Sequence, residues 1–443
     1  MNKYKEDMER VVIRHAPYII KMKIIDEMKE YISQLKIIDV HEHLIADEVR
    51  IHKFRDYMSL VFSNYTGTSA VSAGVPEKVI DIIQGEGELE EKYPLFISAC
   101  QKIQNTVSFQ CLDIAFRKIY GMSILDENYI ELNSRYCEKN KKDFTYGILK
   151  QMHVEKAIND VFDFSMQNTN YGMDYRVFES AVRCDKFIMI HEYLTDVEKE
   201  FQREIDSLDE LCLLIDEYIH MHKTKLHAVA IKIAVAYYRT LHFEAVEKIE
   251  AERIFQELSY RIRNGQKMSM KEAKPLSDYM MHFLAATAEK NSLPIQIHTG
   301  VQDRNINNLR NSYPMLLNPL FEEYSGVTFN LFHTGFPYGL ETGVLAKMFP
   351  NVFVDFSWVH ILSPTYAVKL MQEYLELIPA VKISGFGGDF CNAEGAFGHW
   401  QIAGENIAQA IANMIEEGWY SLDYGKQLVK QILYDNPKAI YHL

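Results

Sequence analysis

Three observations predict a (β/α)8 TIM barrel: eight short β-rich runs separated by helical patterns, ligand-type polar residues at the C-terminal ends of several runs, and 443 residues of 48% hydrophobic content, enough for one large α/β core. The pattern is interrupted once, after the first strand. Residues 44–150 carry helical patterns and a Ser/Thr/Gly-containing stretch at 63–74, and are expected to form a large helical insertion over one mouth of the barrel. No Pro/Gly/Ser linker bounds this insertion, so 1–443 reads as a single domain. An open doubly wound sheet shares the alternation, but no Gly-x-Gly-x-x-Gly turn follows any strand.

Residues 5–35 place Val11, Val12, Ile19, Ile20, Ile24, Ile25 and Met28 at near-helical spacing among charges and form an N-terminal helical segment, 1–35, that leads into the first strand at 37–41. The remaining strands are expected at 154–161, 182–190, 228–235, 294–298, 327–333, 352–356 and 381–385, with helices at 199–222, 244–262, 276–290, 313–324, 363–377 and 400–416. The charged run 86–92 reads as a solvated surface, and Tyr57, Phe62 and Tyr65 as packing inside the insertion.

Net charge −14 and a pI near 5.6 argue against nucleic acid or an anionic membrane as partner, since both attract basic surfaces. The N-terminus lacks the apolar core of a signal peptide, and no uncharged apolar run approaches the roughly 18 residues of a membrane span, which points to the cytoplasm. Six cysteines without a C-x-x-C pair suggest neither a disulfide framework nor a thiolate metal site.

The chemistry centres on Ile37-Ile38-Asp39-Val40-His41-Glu42-His43. Residues two apart on a strand share a face, so His41 and His43 converge on one point, as a divalent metal requires. Downstream, the fifth strand ends in Ile297-His298-Thr299-Gly300, the sixth in Phe332-His333-Thr334-Gly335, and the eighth runs into Gly387-Gly388-Asp389. All open onto one mouth in the barrel register. On the fourth strand Lys232 projects from the small-residue face of 228–236; a lone buried ammonium is costly, so it must find a counter-charge, bind an anion or lose its own charge. His360 and Trp400 follow the seventh and eighth strands near the mouth, as candidate substrate contacts. His52, His153, His191, His220, His222, His227, His242, His282 and His399 have no supporting constellation and read as structural or solvated.

These motifs, together with Leu331–Tyr338, Asn351–Phe356 and the terminal Tyr434-Asp435-Asn436-Pro437-Lys438-Ala439, in which Pro437 replaces the usual alanine, resemble the amidohydrolase superfamily over most of 36–43 and 227–443. Within it they look most like the amidohydrolase-2 branch, and more narrowly like the amidohydrolase-type domain fused to glutamine synthetase in nodulin-related proteins. The resemblance implies a metal-binding barrel with His41, His43, His298 and Asp389 as metal ligands, Asp389 also the general base, and His333 a catalytic group that polarises substrate or holds a second metal. It further implies zinc, one ion, or two if Lys232 is carboxylated. Tyr237 and Arg239 are similar to a Tyr-Arg pair of the resembling domains, interrupted here by Tyr238, and join Lys232 as expected contacts of a substrate carboxylate.

The resulting expectation is a metal-dependent hydrolase that cleaves an amide or related C–N bond in a small carboxylate-bearing molecule by a metal-activated water. A non-hydrolytic decarboxylase or uronate-isomerase-like enzyme on the same scaffold is the first alternative, and a metal-stabilised binding module without catalysis the second. Homo-oligomerisation is compatible with such barrels.

Overall fold

The computed structural model describes residues 21–160, 174, 176–303 and 305–443. Eight parallel strands pair in sequence order: β1 Ile37–Glu42, β2 Val154–Asn159, β3 Phe178–Arg183, β4 Ala228–Ile233, β5 Ile295–His298, β6 Phe329–Phe332, β7 Val352–Asp355 and β8 Ile383–Ser384. The seam between β8 and β1 is bridged just beyond β8. There Val40 N–H donates to Phe386 O (3.3 Å), Asp389 N–H to His41 O (2.8 Å) and His43 N–H to Phe390 O (3.1 Å). The (β/α)8 barrel expected from the alternation is therefore the fold, with the helical insertion between β1 and β2.

Inside the barrel the layers differ in polarity. Ile38, Val40, Ile158, Ala181 and Ala230 form a small apolar cluster with Ile440 and Tyr441, which plug the N-terminal end. Above it, the Tyr441 hydroxyl accepts hydrogen bonds from Asn330 Nδ2 (2.6 Å) and Gln296 Nε2 (3.0 Å). The other strand faces enter the large core shared with the helices. Helix starts follow capping chemistry: Ser207, Ser269, Ser363, Asn392 and Ser421 each accept an N–H of the first turn, and Ser269 with Glu272 closes a capping box.

Several expected elements are corrected. The third β-rich run, 182–190, is strand only to Arg183. Asp185 Oδ1 then takes the Ala234 N–H at 2.6 Å, and Asp185–Ile188 and Ile190–Phe201 are helices. A continuous apolar run fits a buried strand and a buried helix equally, and here the helix prevails. The expected helix 199–222 is split between Ile190–Phe201 and Leu208–Lys225. Lys92, in the supposedly solvated run, is 2% exposed and pairs with Asp56 at 2.8 Å. Of the helix expected over 5–35, residues 21–34 are helical and 1–20 lie outside the described residues, as does Val161 of the expected strand 154–161. Among the described residues, no helix is long and apolar enough to cross a membrane.

His222, on Leu208–Lys225, is 1% exposed with no hydrogen-bond partner at either ring nitrogen among the described residues, and burial pulls it down to about 4. Between about pH 6.5 and 4 the unfolded chain binds a proton that the folded chain refuses, so stability is lost as pH falls through this window. The contribution is roughly 2 kcal/mol between pH 7.5 and 5. His222→Leu is expected to flatten that loss without lowering stability at pH 7.5; urea unfolding at both pH values checks it, and an unchanged pH dependence refutes it.

Candidate active site

The site lies at the C-terminal end of the barrel. β1 carries His41 and His43, and the β8 loop sets Asp389 against them. His41 Nε2 and His43 Nε2 lie 3.2 and 3.3 Å from Asp389 Oδ1. Donor atoms bound at about 2.0–2.2 Å to one cation stand roughly 3–3.5 Å apart, so this spacing suits a shared ion. His41, His43 and Asp160, at the end of β2, also offer one donor atom each within 4.8 Å.

Backbone carbonyls fix the imidazole tautomers. His43 Nδ1–H donates to Asp160 O (2.6 Å), His333 Nδ1–H to Ser357 O (2.9 Å) and His298 Nε2–H to Val301 O (2.8 Å). A carbonyl only accepts, so the opposite nitrogen of each neutral ring presents a lone pair. His43 Nε2 thus faces the Asp389 carboxylate, and His333 Nε2 faces His298 Nδ1 at 3.0 Å. Burial pulls His41 down to about 3 and His333 to about 4, Lys232 adding to both, and pulls His298 well down. Burial therefore disfavours the charged form of His41, His298 and His333, and the donor set fits a divalent metal ion.

Asp389 is the anionic member. Burial pushes its carboxyl up, but His41, His43 and His333 outweigh that and hold it well below the usual range. Lys232 Nζ sits 3.3 Å from His41 Nε2 and 3.7 Å from the Phe332 ring centroid; burial brings it down to about 8, against the opposing pull of Asp160. Behind β1, Asp39 and Glu42 are fully buried; burial pushes Asp39 up to about 7 and Glu42 well above its usual value.

The His-Thr-Gly repeats after β5 and β6 cross closely. Gly300 has φ +73°, and a Cβ there would stand 2.2 Å from Phe336 O, so the turn that aims His298 tolerates no side chain.

A cavity of about 240 Å3 opens above these groups. Of the residues expected from sequence, His41, His43, Lys232, Tyr237, His298 and Asp389 line it, while His333 lies fully buried behind His298. Three others are placed elsewhere. Arg239 is turned away by the short 3-10 helix Val235–Tyr237 and pairs with Asp278 at 2.6 Å. His360 is fully buried with Nε2 on Gly385 O (2.9 Å), and Trp400 packs on Phe386 inside the core. These three placements correct the expected substrate contacts.

Several wall residues went unread in the sequence. Arg183 ends β3 and pairs with Asp160 (3.5 Å) and Asp185 (3.1 Å); like Asp160, it occupies a strand end, the position that exposed the histidines. Tyr65, expected to pack only within the insertion, instead reaches the pocket, stacks on Trp358 (4.4 Å between centroids) and donates its hydroxyl to the Asp389 carbonyl. Asn64 and Asp303 complete that side.

Two family models match the chain: the glucuronate isomerase model over residues 13–313 and the amidohydrolase model over 261–443. Protein fluG of Emericella nidulans is 26% identical over 223 residues, which cover 48% of this chain and 26% of that protein's length. Among solved structures, glucuronate isomerase from Caulobacter crescentus is similar with a TM-score of 0.78 at 17% identity, covering 95% of this chain and 94% of its own. Uronate isomerase from Thermotoga maritima is similar with a TM-score of 0.77 at 16% identity, covering 95% and 97%. The eight-stranded barrel and these matches together show that the chain belongs to the amidohydrolase superfamily, in the family described by the glucuronate isomerase model.

Proposed function

We propose that this protein is a metal-dependent isomerase of a small polyhydroxylated carboxylate of the uronate type. The observation that carries this reading is the reach of the glucuronate isomerase match: residues 13–313 include every pocket-lining residue except Trp358, Asp389 and Cys391. A divalent ion, zinc by its imidazole and carboxylate donors, would be held by His41, His43 and Asp389 and would supply Lewis acidity to a substrate oxygen.

The chain's own groups supply the rest. Asp389 Oδ1 faces His41 and His43, and Oδ2 lies 3.7 Å from His333 Nδ1; the carboxylate takes the proton from the hydroxyl-bearing carbon of the substrate and returns it at the neighbouring carbonyl carbon, while the hydroxyl proton passes to the former carbonyl oxygen. The product has the mass of the substrate. Arg183 and Lys186 place positive charge on the wall for a carboxylate, while Tyr65, Tyr193, Tyr237 and Asn64 offer hydrogen bonds to hydroxyls. Tyr65 and Trp358, stacked across the mouth, keep water from the reacting carbons.

Hydrolysis of a C–N bond is the second reading, favoured by the ionised Asp389 beside the metal donors and by the amidohydrolase match that contains it. The two are separated by product mass in 18O-labelled water. Glucuronate converted to a ketose of unchanged mass supports isomerisation. Release of an amine with one 18O retained in an acid product, and no turnover of uronates, supports hydrolysis and overturns the isomerase reading.

A further inference from the structure

Asp389 sits at φ +59°, in the left-handed region that non-glycine residues adopt uncommonly. The restraint comes from β1. Three successive amides of the β8 loop donate to that strand: Gly388 N–H to Asp39 Oδ1 (3.1 Å), Asp389 N–H to His41 O (2.8 Å) and Phe390 N–H to Glu42 Oε2 (2.9 Å). Asp39 Oδ1 also accepts the His41 N–H at 3.2 Å, so a single oxygen ties the histidine strand to the aspartate loop.

The fit is close. A Cβ on Gly388 would lie 1.8 Å from Glu42 Oε1, so the glutamate head group packs directly on the glycine backbone. Asp39 and Glu42 are both fully buried, and neither lines the pocket. Two carboxyl groups placed in a barrel wall are costly unless their hydrogen bonds are specific, and here those bonds go to backbone amides of β1 and of the loop.

We propose that Asp39 and Glu42 are positioning residues that hold the Gly388–Phe390 backbone, and through it set the Asp389 carboxylate against both His41 and His43. The middle residue of His-x-His thus acts on the site from behind, while its neighbours act on it from the front. This inference rests on the reading of Asp389 as a metal donor.

The test uses cobalt(II) as probe, in place of the native ion, on the full chain. Dissociation constants by chelator competition and the visible ligand-field spectrum are compared for the native sequence, Glu42→Ala, Glu42→Asp, Glu42→Gln and, as reference, Asp389→Asn, with folding checked by circular dichroism. Glu42→Ala and Glu42→Asp, which cannot reach the Phe390 N–H, are expected to weaken cobalt binding about 10- to 100-fold and to shift the spectrum toward that of Asp389→Asn. Glu42→Gln keeps the side-chain length and an acceptor oxygen for the Phe390 N–H, and is expected to restore affinity to within about threefold of native. Folded Ala or Asp variants with native affinity and spectrum overturn the proposal, and so does a Gln variant as weak as Ala. If Glu42→Ala does not fold, Glu42→Asp against Glu42→Gln decides the matter. A native protein that takes up no cobalt overturns the metal reading itself, and the positioning role with it.

Discussion

Asp389→Ala is expected to lower kcat/KM by about 10^3-fold or more, with the metal-free fold intact. The carboxylate has two duties in the proposed reaction, as metal donor and as proton acceptor, and a positioned acid or base alone contributes about 10^2- to 10^4-fold. Its removal also takes away the carboxylate that stands against both His41 and His43. Bound metal stabilises the native state by about 2.7 kcal/mol at a concentration of 100 Kd, so the melting-temperature gain on adding zinc should shrink in the variant. Steady-state kinetics on a turned-over substrate and melting curves with and without metal check both parts. Activity within tenfold of native, or an undiminished metal-induced shift, removes Asp389 from the mechanism.

The barrel could be read before the structure because its alternation is regular and its strand ends carry unusual residues. The period of two in β4 put Lys232 on the inward face, and its ammonium lies beside His41. The paired His-Thr-Gly motifs after β5 and β6 brought His298 and His333 into one cluster, and the structure places their rings 3.0 Å apart. Legibility failed where sequence neighbours diverge in space. Tyr237 enters the pocket, yet the 3-10 turn carries Arg239, two residues on, to Asp278. Trp400 follows the eighth strand, but it lies on the helix Ala393–Glu416 at an angle that sends it to Phe386. Proximity along the chain to a strand end is a weaker guide than the strand end itself.

The insertion was the least legible part, because its contribution depends on how it docks. Its helical patterns gave no sign that Tyr65 would cross the mouth to Trp358 and the Asp389 backbone. Asp160 and Arg183 are a different case, since both stand at strand ends and follow the same rule as the histidines. Without a repeated motif to mark them, one aspartate and one arginine did not stand out among the charged residues of this chain.

Arg50→Met is the stability change with the largest expected effect, and it probes how the insertion is fastened. Arg50 is fully buried on Asp47–Lys53, with Nη2 2.5 Å from Glu394 Oε1, Nη1 on Asn140 Oδ1, and its guanidinium 4.4 Å from the Phe144 ring centroid. Glu394 stands in the first turn of Ala393–Glu416, immediately after the Asp389 loop, and also takes the Tyr120 hydroxyl at 2.6 Å. The ion pair joins Asp47–Lys53 to the helix that follows β8, and the same guanidinium holds Asn140 and Phe144 near the insertion's C-terminal end. Methionine leaves the Glu394 carboxylate buried beside a single phenol, at a cost of about 3–5 kcal/mol. The double variant Arg50→Met with Glu394→Gln removes the stranded charge and is expected to regain most of that loss. A urea-unfolding double-mutant cycle measures the coupling, and a single-variant loss below about 1 kcal/mol would show the pair to be dispensable. Because Asn64 and Tyr65 reach the pocket from this same insertion, KM should rise in Arg50→Met more than kcat falls, and the double variant should restore it.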